Sequence, residues 1–104
     1  MSHNIAGLWD IIQDNGFTVP VNIDSFNAQS GGFKLHAEQG GGSTVTGTGD
    51  GTVEGDLIHF VITWTNQTQG AYTGAFDEHG TIHGATFDVK HPESAAKWHS
   101  SVSF

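Results

Sequence analysis

The sequence predicts an all-β fold: an eight-stranded antiparallel up-and-down barrel in a single domain, residues 1–104. Three observations carry this. Apolar residues fall on every second position of Ile58-His59-Phe60-Val61-Ile62-Thr63-Trp64, with Val61 the one apolar residue between them, the period of a strand with one buried face. Short segments of the same kind recur between turn residues along the chain. Helical periodicity is nearly absent, while fifteen glycines supply the tight turns that many short strands need.

Strands are expected at about 5–12, 17–25, 32–38, 44–49, 57–66, 70–77, 81–89 and 97–104. The second sets Phe17, Val19, Val21 and Ile23 on one face, and Pro20 on the other suggests an edge or a bulge. Gly40-Gly41-Gly42-Ser43 reads as a flexible hairpin tip. The stretch from Thr44 to Gly55 is short of apolar residues and reads as an exposed, twisted hairpin. The fifth strand turns Ile58, Phe60, Ile62 and Trp64 inward. Asp77-Glu78-His79-Gly80-Thr81 has the form of a three-residue hairpin loop with Gly80 in the left-handed position. That register sets Phe76 opposite Ile82, Gly74 opposite Gly84 and Tyr72 opposite Thr86. The paired glycines leave a gap for a large side chain or a ligand. Pro92-Glu93-Ser94-Ala95-Ala96-Lys97 is the one expected helical turn. Trp98, following it, is expected near a barrel mouth.

Charge narrows the function. The net charge is -8; the cations are Lys34, Lys90 and Lys97, and arginine is absent. Nucleic acid needs clustered cations, and an anionic membrane surface needs a basic patch; neither partner is expected. No apolar stretch approaches a membrane span. No signal peptide is visible, so a cytoplasmic chain, or a secreted one with its leader removed, is expected. Asn66-Gln67-Thr68 matches a glycosylation sequon, meaningful only on a secreted chain. Without cysteine there is no disulfide framework and no thiolate metal site.

Gly7-Leu8-Trp9, Phe60 to Asn66, Ala71 to Phe76 and Ala96-Lys97-Trp98, in that order and spacing, resemble segments of avidin and streptavidin, with a more distant likeness to lipocalin-like barrels. Gly7-Leu8-Trp9 looks like the Gly-x-Trp that opens their first strand. Phe60 to Asn66 looks like the central Trp strand, Ala71 to Phe76 the aromatic-x-Gly strand after it, and Ala96-Lys97-Trp98 the Trp before the last strand. The resemblance implies a barrel able to hold one small ligand. The family's biotin contacts are not matched: Ile11 stands two residues after the first Trp, where the family has Asn, and the Tyr of its third strand is replaced at or beside Leu35.

The candidate ligand-binding residues are Trp64, Asn66, Tyr72, Trp98 and Trp9. Aromatic rings offer a stacking platform as readily as core packing. The polar loop Asn66-Gln67-Thr68-Gln69 beside Trp64 offers the paired donors and acceptors that a polyol requires. The expected function is therefore non-enzymatic binding of a carbohydrate, in the manner of a lectin, or of a small neutral molecule. No catalytic residue, metal ligand or cofactor is assigned. The seven histidines are expected on the surface, since His79 and His83 flank a turn rather than share a helix. Asp77, Glu78, Asp88 and Glu93 lie near the same loops, and two of them could do acid–base work if a cleft joined them; a small barrel enzyme of isomerase or cyclase type using Asp/His pairs is the alternative reading. An interaction or inhibitor module is the third reading. Self-association is expected of such a barrel, with two-fold interfaces the default.

Overall fold

The computed structural model describes residues 5–14, 16–27, 29–38, 45–65 and 67–104, with Pro92 described in its backbone alone. The Gly40 to Ser43 tip and Asn66, the acceptor residue of the sequon, lie outside the described residues. Eight strands follow in order: β1 (Gly7–Gln13), β2 (Thr18–Phe26), β3 (Gly32–Glu38), β4 (Thr46–Glu54), β5 (Leu57–Trp64), β6 (Gln69–Phe76), β7 (Thr81–Asp88) and β8 (His91–Ser103). Each pairs antiparallel with the next, and β8 returns to β1 through Ile11 opposite Ser100 and Gln13 opposite Trp98. The expected all-β, up-and-down closed barrel is the fold observed.

Alternation decides which face turns inward. Ile58, Phe60, Ile62 and Trp64 are buried in β5, while Leu57, His59, Val61 and Thr63 are exposed. Val19, Val21 and Ile23 of β2 and Phe33, Leu35 and Ala37 of β3 do the same. The β6–β7 hairpin has the expected register: Phe76 pairs with Ile82, Gly74 with Gly84 and Tyr72 with Thr86. Gly80 sits at φ +82, where only glycine is unstrained. Its loop is closed by Asp77 N–H donating to the Thr81 carbonyl at 2.9 Å.

Three expectations need correction. First, β4 runs on to Glu54. Its inward positions Gly47, Gly49 and Gly51 carry no side chain because β5 covers them. A Cβ on Gly47 would lie 2.7 Å from Ile62 Cγ2 and 2.8 Å from Trp64 Cε3, and one on Gly51 2.2 Å from the His59 carbonyl.

Second, residues 92–97 are not helical. Ala96 pairs with Thr86 and Lys97 with Ala85. Lys97 also exchanges bonds with Asp14, its N–H donating to Oδ1 at 3.1 Å and its carbonyl accepting from Asp14 N–H at 2.9 Å. The backbone of these residues is committed to both neighbours, which a helical turn would forbid. Because Asp88 pairs with His91 while Thr86 pairs with Ala96, the excess residues of β8 form a wide bulge. Trp98 is consequently mid-strand, not at the mouth.

Third, Pro20 lies on no edge, since a closed barrel has none. It pairs with Asp10 and stands one residue outside the ladder to β3, whose bulge falls between Ile23 and Ser25.

The lumen is filled in layers. At the lower end Trp9 meets Phe104 edge-on with centroids 5.2 Å apart, Phe104 meets Phe76 at 6.1 Å, and Ile5 is fully buried beside them. Trp9 Nε1–H donates to the Ile5 carbonyl at 3.1 Å. In the middle Phe60 touches Phe33 and Trp98, each at 5.9 Å. Trp98 fills the gap left by the facing glycines: its Cζ2 lies 3.1 Å from where a Gly74 Cβ would be. Ser100, one of the few buried polar residues, serves a second bulge near the end of β8. It accepts from Ile82 N–H at 2.9 Å and donates to the Val102 carbonyl at 2.7 Å.

Candidate functional site: the upper mouth of the barrel

The two ends of the barrel are chemically different. Strand parity turns Gln13, Phe17, Val19, Trp64, Tyr72, Thr86, Asp88 and Ala96 toward the upper lumen, where they line a cavity of about 240 Å³. Thr68, Gln69 and Ser94 add hydroxyl and amide groups at its rim. The lower half is apolar and packed; the upper half holds polar groups that face inward. Inward polar side chains are costly unless partnered or wetted, so their gathering at one end makes that end the candidate site.

Three connections shape the rim. Gln13 N–H donates to the Phe17 carbonyl at 2.9 Å, closing the β1–β2 turn and setting Phe17 over the opening. Trp64 N–H donates to the Thr68 carbonyl at 2.8 Å and Gln67 N–H to the Trp64 carbonyl at 3.0 Å. Gln67 adopts φ 71 there, a left-handed turn position uncommon for a residue with a side chain. Asp88 ends β7, and its Oδ1 accepts from Lys90 N–H at 2.9 Å, holding the turn into β8.

Tyr72 forms the floor. Its ring stacks on Phe60 at 4.9 Å and 5° and meets Trp98 edge-on at 6.0 Å. Its hydroxyl donates to Gln13 Oε1 at 3.2 Å. Burial raises the phenol pKa above its ordinary value, against a smaller opposing pull from the Thr86 hydroxyl. Tyr72 is therefore a neutral donor at neutral pH, and the floor of Tyr72, Gln13 and Thr86 is uncharged.

Of the expected site residues, Trp64 and Tyr72 come together on this cavity. Trp98 stands behind Tyr72, its Nε1–H donating to the Ala85 carbonyl at 3.0 Å. Trp9 belongs to the lower plug, at the opposite end. Gln13, Phe17, Val19, Thr86 and Asp88 are among the cavity residues that the sequence did not mark as candidates. Phe17, Val19 and Thr86 were already legible as inward-facing from the alternation of β2 and the β6–β7 register.

The carboxylates do not share a site. Asp77 and Glu78 lie at the lower end of β7, Asp88 and Glu93 at the upper end, about 25 Å away for a strand of this length. Asp77 instead organises its hairpin, with Oδ1 accepting from His79 N–H at 2.9 Å and Thr81 N–H at 3.0 Å, and Oδ2 paired with His83 Nε2 at 3.0 Å. His36, His59, His83 and His99 are exposed on the outer face. His36 pairs with Asp24, and the rings of His83 and His99 stack at 6.3 Å. Among the described residues no group of three His, Asp or Glu side chains is arranged to hold a metal ion.

Compared with known proteins, the chain matches no family model, no curated protein and no solved structure.

Proposed function

We propose that this protein is a non-enzymatic binding protein that holds one small molecule in the upper mouth of the barrel. The observation that carries the reading is the asymmetry of the lumen: an aromatic plug below, and above it an open cavity with a neutral hydrogen-bonding floor. An eight-stranded barrel is just wide enough to be filled by side chains or to hold one small ligand; this chain does the first at one end and leaves room for the second at the other. The eight-stranded antiparallel barrel is compatible with an avidin-like or calycin-type fold, which supports a reading in which one small ligand enters at a mouth.

The size of the cavity limits the ligand. About 240 Å³ is below the roughly 300–1,000 Å³ typical of drug-sized ligands. A single ring with short substituents fits that space; an oligosaccharide could enter only by one terminal unit. Trp64 would stack on the ring, and Tyr72 and Gln13 would hydrogen-bond a hydroxyl or carbonyl at its inner end. A monosaccharide and a small neutral aromatic alcohol both meet these terms. The amide and hydroxyl groups of Thr68 and Gln69 beside Trp64 favour the sugar at the rim.

Calorimetric titration of wild type, Tyr72→Phe and Trp64→Phe with monosaccharides and with 2-phenylethanol tests the proposal. Tyr72→Phe removes one hydrogen bond without emptying the core, so binding weakens about five- to tenfold, as expected for a loss of roughly 1–1.5 kcal/mol. Trp64→Phe shrinks the stacking surface and weakens it by a similar factor. Unchanged affinity in both variants would mean that the ligand sits elsewhere.

A further inference from the structure

Among the described residues that line the mouth, Asp88 is the one acidic or basic side chain. Along the described strands every other Asp, Glu and Lys lies on the outward-facing parity, in a turn or in the β8 bulge, whereas Asp88 falls on the inward parity of β7 with Ile82, Gly84 and Thr86 and lines the cavity. Only one of its oxygens is engaged by the turn, through Lys90 N–H. Among the described residues no lysine forms an ion pair with it. The same opening is walled by the rings of Phe17, Trp64 and Tyr72. Aromatic faces with one carboxylate and no cation are the combination that attracts an ammonium group, through the ring quadrupoles and direct charge pairing.

We infer that the mouth selects a ring-bearing primary amine, its ring beside Trp64 and its ammonium group at Asp88. This rests on the mouth being the ligand site and sharpens that reading. The ring and the inner end of the ligand remain neutral, as the Tyr72–Gln13 floor requires, and a positive charge is added where the cavity meets solvent. An anionic isostere is excluded by the same carboxylate and by the net charge of -8.

Asp88→Asn separates charge from structure, because the amide oxygen can still accept from Lys90 N–H. Asp50→Asn, on the exposed outer face of β4, removes the same net charge away from the mouth. Wild type and both variants are titrated at low ionic strength with 2-phenylethylamine, 2-phenylethanol and 3-phenylpropionate, following the Trp64 indole resonance by NMR. The amine binds wild type and Asp50→Asn about tenfold more tightly than the alcohol. In Asp88→Asn that ratio falls to near one, and in wild type it shrinks as salt is added. Equal affinity for amine and alcohol in wild type would overturn the inference while leaving the mouth a ligand site. An amine preference that survives in Asp88→Asn would also overturn it, by assigning the effect to overall charge. If none of the three compounds moves the Trp64 resonance, the inference and the proposed site fall together.

Discussion

Asp77 shows how one carboxylate can hold a turn and carry a pH signature. Burial raises its pKa, but the backbone N–H groups of Thr81 and His79 and the His83 imidazole outweigh it and hold the carboxyl below its ordinary value of 3.8. A group with a depressed folded-state pKa stabilises the fold fully above its unfolded value and loses that contribution as pH falls through the folded one. Part of the acid sensitivity of this barrel therefore belongs to Asp77 and is felt below pH 3.8. Urea titrations over that range should show a shallower fall of stability in Asp77→Asn than in wild type. An equal slope would remove Asp77 from the account. Ser100 makes a complementary case. Ser100→Ala leaves the Ile82 N–H without its partner in a buried bulge, and a loss of about 1–3 kcal/mol in unfolding free energy is expected.

At the scale of elements, glycine does two different jobs. Gly84 is a packing glycine: a Cβ there would lie 1.9 Å from the Thr73 carbonyl of the facing strand. Gly55 is a conformational glycine at φ +59 with nothing within 4 Å. Gly84→Ala must force β6 and β7 apart and should cost about 2–4 kcal/mol, while Gly55→Ala costs about 1 kcal/mol. Thermal melts of the two variants check the order; a reversed order would mean that the strands yield more easily than the turn. The same contrast explains what could be read from the sequence. β5 and the β6–β7 hairpin were legible because large apolar residues alternate there and one turn fixes the register. β4 was not: three of its four inward residues are glycines, Val53 being the fourth, and the glycines are covered by the side chains and backbone of β5. The helical reading of 92–97 failed because proline and alanine mark a local preference, while closure of the barrel engages Ala96 and Lys97 from both sides. That error carried Trp98 to the mouth. The inward placement of Trp64 and Tyr72 was legible because they lie on well-patterned strands. Asp88 is not singled out by its own strand pattern; only the inward residues around it place it on the cavity.

For the whole molecule, the division of the lumen into a closed and an open half is the property that connects the fold to the proposed function. Each half contains tryptophan, so the protein has its own reporters: Trp64 on the cavity, Trp98 behind its floor and Trp9 in the opposite plug. A ligand in the mouth must perturb the first, reach the second only through Tyr72, and leave the third untouched. Two-dimensional ¹H–¹⁵N NMR resolves the three indole N–H signals during a titration with 2-phenylethylamine or 2-phenylethanol. The predicted result is a saturable shift of Trp64, a smaller one of Trp98 and none of Trp9. A shift of Trp9 without Trp64, or no shift of any indole, would contradict the assignment of the upper mouth as the binding site.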